Sequence, residues 1–527
     1  MQLQQVIQSI LLAAASLPFS AGAWDVTLDA GSRCCSNLAS SFPHRVLGSK
    51  TAEFTQANNH RWSTTAILNP KCIVQPVNTE EVSSIVKILT SNESTSGFPA
   101  CPFAIKSGGH MPFAGANNID GGIVLDLSLL DSTSLSSDHQ VVSIGPGSTW
   151  QGAANKLKGT GVGIPTGRCP STAVGGVTLG GGISFFASKI GFAADNVVNF
   201  EIVLASGDIV NANATSNQDL WTALKGSSGN LGIVTRFDFS AFPQPSLWAG
   251  GLPLPADEHS TRLALTAMHG LTKMHRLFPK VAYGQVFSFN ASRTPHEGGI
   301  WNSIVFTGED INELHLPPMP ITIGGVTTEI NLTDHMRETD LASLLEESDQ
   351  FPWGYRNYIA TVAFVNDLPT LSHVHDLTVD LYKTVRHVQN MEWLFAYEPL
   401  PYLFTEHSLA RGGNVLGLNR TKDDLILMQL APRWSSPADD KVMQDTAKQW
   451  VEQVKGYTKS VGKASDFLYL NYADGFQDPI AGYGEQSVWY LRDVARKYDP
   501  HGVFQKAVKG GFKIPGMGGN KNTHDEL

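Results

Sequence analysis

Short apolar runs, most of them bordered by glycine or proline, pattern the first half of the chain and read as strands running into turns. Cys72-Ile-Val-Gln-Pro-Val, Phe103-Ala-Ile, Gly122-Ile-Val-Leu-Asp-Leu and Val141-Val-Ser-Ile predict four strands. Between the first two, Thr79 to Leu89 has the pattern of a capped amphipathic helix. The fourth strand ends in Gly145-Pro146-Gly147 and leads to a helix predicted from Thr149 to Lys158. Asn199 to Ala205 and Asp208 to Ala212, joined by Ser206-Gly207, read as a hairpin. A short helix at Asp219 to Lys225, a glycine turn at Gly226 to Gly229 and a strand at Ile233 to Phe239 follow.

The pattern breaks between Cys169 and Gly182, where CPSTAVGGVTLGGG holds five glycines and few side chains able to pack a core. Its product must be backbone. Composition changes at Phe242-Pro-Gln-Pro, a domain boundary, and from there to about residue 460 helical stretches alternate with strand-like runs such as Tyr358 to Val365 and Leu425 to Leu430. Phe467 to Asp474 reads as a further strand and Glu485 to Lys497 as a helix. No internal repeat is present, and the mixture is that of an α+β protein.

Composition narrows the function classes. A chain of 527 residues with 42% hydrophobic and 16% charged residues buries core enough for two or three domains. A net charge of −10 leaves no basic footprint for nucleic acid. Residues 1–23 carry an apolar stretch, Ile7 to Leu17, before small residues at Ala21 and Ala23, as a secretory signal would, though no Lys or Arg precedes it. No later run is long enough to predict a membrane span. N-x-S/T sequons at Asn92, Asn213, Asn290, Asn331 and Asn419 suit a glycosylated protein. The terminal His524-Asp525-Glu526-Leu527 resembles the signal read by the retention receptor of the endoplasmic reticulum. The expected location is that lumen, with secretion as the alternative.

Five cysteines entering an oxidising compartment should pair. Adjacent Cys34 and Cys35 seldom bond each other, so they are expected to join Cys72 and Cys101 in either order, leaving Cys169 over.

Glycine-rich turns at Ser107-Gly108-Gly109, Gly145-Pro146-Gly147 and Gly175 to Gly182 could converge as rows of backbone N–H groups suited to a diphosphate. The Rossmann and P-loop fingerprints are absent, as are zinc-spaced ligands and a G-x-S-x-G elbow, so no metal site is expected.

Ser107-Gly-Gly-His110, the Cys169 to Gly182 run, Gly191-Phe-Ala-Ala-Asp-Asn-Val-Val198 and Asn471-Tyr-Ala-Asp474, in that order, resemble the berberine bridge enzyme-like flavoproteins of the vanillyl-alcohol oxidase superfamily, closest to fungal members of specialised metabolism. The resemblance implies FAD in a two-part domain: after the signal peptide and an arm at 24–64, an FAD-binding domain at 65–242, a substrate domain at 243–462 with an antiparallel sheet under helices, a returning segment at 463–515 and a tail at 516–527. It places His110 where the family bonds imidazole to the flavin 8α carbon and Cys169 where some members add a bond at the 6-position. Ser107, Gly108, Gly109, Gly175, Gly176, Gly180, Gly229 and Ile233 would contact the cofactor. Tyr472 falls at the position of a catalytic tyrosinate, and a phenol needs a cation or donors nearby to ionise near neutrality. A carboxylate assists on a neighbouring strand in some relatives, but the matching stretch, Leu425 to Trp434, has no acid. Gln429 is there to orient a substrate, and Thr172 resembles residues that leave room for O2.

The resulting expectation is a monomeric FAD-dependent oxidase that takes a hydride from a small metabolite and makes H2O2. Two other readings stay open: an oligosaccharide oxidase forming a lactone, and a non-catalytic lumenal binding module.

Overall fold

The computed structural model describes residues 29–91, 101–244, 246–293, 297–315, 318–323, 326–348 and 352–517. The signal-like N-terminus, the Asn92 sequon and the terminal HDEL lie outside them. Among the described residues three large sheets, of four, five and seven strands, organise the fold.

The first sheet takes its strands in the order Val46–Gly48, Cys72–Val74, Ile123–Asp126, Phe103–Lys106. The last three are parallel, and the first is antiparallel to its neighbour. A parallel pair needs a crossover, which the helix Thr79–Thr90 supplies. Asn78 caps that helix through Glu81 N at 2.8 Å, while Val82, Ile85, Val86 and Leu89 bury its apolar stripe. The second sheet is antiparallel, in the order Thr133–Leu135, Val141–Ile144, Ile233–Ser240, Val197–Val203, Ile209–Asn213.

The third sheet has seven antiparallel strands: Met336–Thr339, Leu247–Pro255, Gly298–Phe306, Val281–Phe289, Trp393–Leu400, Leu425–Leu430 and Ala360–Val365. Helices Glu258–Lys273, Leu368–Val385 and Asp440–Ser460 pack on one face. Strand alternation sorts the side chains. Val281, Tyr283, Phe287 and Phe289 join the helix-side core, whereas Ala282, Gly284, Val286 and Ser288 face a cavity on the other side.

Three local expectations are corrected. The glycine run contains a helix, Val174–Leu179, whose Val174 and Thr178 are buried, so part of the run does pack a core. Phe467 to Asp474 is not a strand. It holds a single 3-10 turn, Leu470–Tyr472, because Tyr469, Asn471 and Tyr472 spend their polar atoms on side-chain contacts across the fold. The stretch 24–64 is not irregular throughout, since it supplies the helix Ala30–Ser41 and the edge strand Val46–Gly48.

The disulfide order is Cys34–Cys101 and Cys35–Cys72. Successive helical residues point about 100° apart, so two adjacent cysteines on Ala30–Ser41 can reach both the strand Cys72–Val74 and the segment just before strand Phe103–Lys106. The C-terminal part returns to the same sheet, with Phe103 N donating to Ala507 O and Lys509 N to Phe103 O at 3.0 and 3.1 Å. Among the described residues no helix is long and apolar enough to cross a membrane.

Cys34–Cys101 closes a separation of 67 residues, worth about 4 kcal/mol in the chain-entropy treatment. The double variant Cys34→Ala with Cys101→Ala should therefore unfold at clearly lower guanidinium concentration than the parent.

Candidate active site

Strand Phe103–Lys106 delivers Ser107-Gly108-Gly109-His110 to the edge of the cavity. Gly109 has φ +70°, where a side chain would be strained, and a Cβ there would stand 3.0 Å from His60 O. Gly108 lies so close to the start of the glycine helix that a Cβ would meet the Ala173 Cβ at 2.8 Å. The Ser107 hydroxyl donates to Pro146 O at 2.5 Å and Gly175 N donates to the same carbonyl at 3.2 Å. The three glycine turns thus converge on one carbonyl. Behind them Lys106 and Asp126 form a buried ion pair at 3.2 Å.

The cavity these turns line measures about 750 Å³. Ser107, Gly108, Gly109, His110, Cys169, Thr172, Gly175, Gly176, Gly229, Ile233, Gln429 and Tyr472 all lie on its wall. Gly180 does not: its missing Cβ makes room for the Asn471 side chain, whose Oδ1 would stand 2.1 Å away.

His110 stacks on Trp62 with ring centroids 4.8 Å apart and planes 6° from parallel, and makes a T-shaped contact with Trp353, centroids 6.0 Å apart. Burial holds its pKa down to about 4, so the imidazole is neutral above that pH. Its Nε2 lies 3.7 Å from Cys169 Sγ and 3.5 Å from Ser171 Oγ. The Thr172 hydroxyl donates to Cys169 O at 2.7 Å, closing the turn that presents the thiol.

Tyr472 is positioned by its neighbour. Asn471 donates to Val177 O at 3.0 Å and so pins the 3-10 turn onto the glycine helix. Tyr472 OH then accepts from Arg168 Nη2 at 2.9 Å and donates to Glu398 Oε1 at 3.1 Å, while Arg168 and Glu398 pair at 2.5 Å. Burial, reinforced by the Glu398 charge, pushes the Tyr472 pKa well up, with Arg168 opposing. Burial also works against the Arg168 charge, but Glu398 and Tyr472 outweigh it and hold that pKa high. The site therefore holds a guanidinium and a phenol, not a resting tyrosinate.

Glu398 puts beside Tyr472 the carboxylate that Leu425 to Trp434 lacks. The carboxylate comes from strand Trp393–Leu400, one strand over from Leu425–Leu430, where Glu398 faces Leu427 and Ala396 faces Gln429. A lone acid inside the apolar WLFAYEPL run was the available signal. Arg168, beside Cys169, was also missed. So was Lys513, a cavity residue from the returning segment whose pKa burial lowers to about 7.

The chemistry of this wall fits FAD. Gly176 and Gly229 have nothing within 4 Å of a notional Cβ, so side chains there would enter the space left for a ligand. Residues 70–213 match the family described as FAD binding domain. The whole chain is 34% identical over 496 residues to the FAD-dependent monooxygenase drtC of Aspergillus calidoustus, covering 92% of this chain and 91% of that protein. The chain belongs to the FAD-linked oxidoreductases that include this fungal FAD-dependent monooxygenase.

Solved structures agree on the fold of this FAD-linked oxidoreductase. Xylooligosaccharide oxidase from Myceliophthora thermophila C1 superposes with a TM-score of 0.70 at 19% identity, covering 91% of this chain and 98% of that one. Glucooligosaccharide oxidase from Acremonium strictum, itself described with a 6-S-cysteinyl, 8α-N1-histidyl FAD, gives 0.69 at 18% identity over 91% and 98%.

Gly176→Leu should fold, since its side chain meets only open space, yet retain at least about tenfold less flavin per protein, about 1.4 kcal/mol or more of lost binding. The visible-to-280 nm absorbance ratio of the purified variant, with its thermal midpoint, checks this.

Proposed function

We propose that the protein is an oxidase that removes a hydride from a small, partly apolar specialised metabolite, by dehydrogenation or oxidative ring closure, with its flavin bonded to His110 and Cys169. The observation that carries the reading is that the His110–Cys169 pair and the Arg168–Tyr472–Glu398 set open onto one cavity. When bound, FAD supplies the hydride acceptor and the reaction with O2 that yields H2O2.

Two bonds to one edge of a ring need two nucleophiles close together, and the 3.7 Å separation of Nε2 and Sγ supports that role. The neutral imidazole keeps a lone pair for bond formation down to about pH 4. Tyr472 takes the substrate proton as its own passes to Glu398 Oε1, 3.1 Å away. Glu398 Oε2 is buried with no hydrogen-bond partner among the described residues, which favours the carboxylate as the final acceptor. Arg168 stays charged throughout and keeps the phenol aligned. Thr172, its hydroxyl turned back to Cys169 O, leaves its part of the wall small, in support of O2 access.

The aliphatic and small roof residues Ala282, Gly284, Val286 and Ala396 favour an apolar metabolite over an oligosaccharide. Residence in the lumen of the endoplasmic reticulum, with glycans on the exposed Asn331 and Asn419, is supported by the two terminal signals.

The test is peroxide release across a panel of metabolites and sugars, with acid precipitation to read covalent flavin. The precipitate should be yellow and a His110 peptide should carry the flavin mass. Robust turnover of cello- or malto-oligosaccharides would favour the lactone-forming reading instead. Cys169→Ala should stay bonded through His110 with a shifted absorption spectrum, and an unchanged spectrum removes the second bond.

Glu398→Gln and Tyr472→Phe should each lower kcat by roughly 10²–10⁴-fold with flavin content intact. Because the two residues handle one proton, the double variant should be little worse than either single one. Rapid-mixing measurement of flavin bleaching reads both.

A further inference from the structure

The cavity has a second charged cluster, away from Tyr472. Glu392 stands just before strand Trp393–Leu400, and its carboxylate pairs with both Arg293 and Arg433. The Ser288 hydroxyl donates to Glu392 Oε1 at 2.6 Å. Arg433 is tied to Glu392 by reciprocal backbone bonds of 2.9 Å, so its position is fixed by the sheet. Arg293, Arg433 and Glu392 all line the cavity, with side chains 40%, 22% and 10% exposed.

The Ser288 carbonyl accepts from Arg293 Nη1 at 3.1 Å, yet it and one carboxylate cannot satisfy two guanidiniums. Together they carry roughly ten N–H donors against about four carboxylate lone pairs. The cluster also keeps one positive charge. A planar carboxylate is the ligand that a guanidinium fork binds in bidentate fashion.

The strand itself is a ruler. Glu392, Leu394, Ala396 and Glu398 alternate on the cavity side, and six residues at about 3.3 Å each separate the two acids by about 20 Å. Allowing for the reach of an arginine leaves on the order of 10–15 Å between a bound carboxylate and the Tyr472–Glu398 group. Val286, Leu394 and Ala396 make that interval apolar.

Building on the hydride-transfer reading of the cavity, we infer that the substrate is an elongated carboxylic acid. Its carboxylate sits on Arg293 and Arg433, its apolar body lies along Val286, Leu394 and Ala396, and the carbon to be oxidised reaches Tyr472.

Calorimetric titration of the flavin-loaded protein with 8-phenyloctanoate, its methyl ester and phenylacetate tests this. The long acid should bind at least about tenfold more tightly than its ester, and phenylacetate should bind weakly. In Arg293→Gln, whose side chain is at the surface, and in Arg433→Gln, the acid and its ester should bind within about threefold of each other. Unchanged thermal midpoints and flavin absorbance would show that both variants are folded. Equal binding of acid and ester by the parent, no measurable binding of the long acid, or an undiminished preference in Arg293→Gln overturns the inference. The titration needs no turnover. A protein that prefers the acid yet releases no peroxide refutes the oxidase reading alone, and one that releases peroxide without preferring the acid refutes this inference alone.

Discussion

The ion pair between Arg168 and Glu398 ties together three distant parts of the chain. Arg168 belongs to the loop before the glycine helix, Glu398 to the seven-stranded sheet, and Tyr472, bonded to both, to the returning segment. Removing charges from water costs several kcal/mol each, and removing one partner of a buried pair typically costs 3–5 kcal/mol. All three parts must therefore seat together for any to be stable there. The same requirement sets the protonation pattern, because burial raises the tyrosine pKa and the neighbouring carboxylate raises it further, with the guanidinium opposing.

The floor and the roof of the cavity obey different rules. The floor is backbone, made of turns where a side chain would collide with the protein or fill the cofactor space, as at Gly108 and Gly176. The roof is side chains, assigned by strand alternation, so that each strand gives one face to the helix-side core and one to the ligand. Cofactor binding is thereby specified by what is missing and substrate binding by what is present. Changes to the roof can alter the ligand without disturbing the floor.

This division explains what could be read from the sequence. The glycine turns, the crossover helix, the hairpin and the leftover cysteine have local signatures, and His110 and Cys169 sit within them. Glu398 does not, because its partner is chosen by the register between two strands whose pairing no local pattern reveals. Phe467 to Asp474 misled for a related reason: its alternating aromatic and apolar residues suit a strand, yet Tyr469 and Asn471 bond to backbone around the glycine helix and impose a turn. Disulfide order escaped the sequence because it depends on the direction each cysteine takes from a helix.

The return of the chain to the first sheet has a consequence for biogenesis. Phe103 shares its strand edge with residues 507–509, and Gly510, Gly511, Phe512 and Lys513 close part of the cavity wall. During synthesis the disulfides and the His110 turn emerge early, but this wall arrives only after the entire roof sheet has been made. Cofactor capture is therefore a late event in the life of the nascent chain. Until residues 507–513 arrive, that side of the trough stays open, and exposed apolar surface of this kind is what makes unfinished chains prone to aggregate.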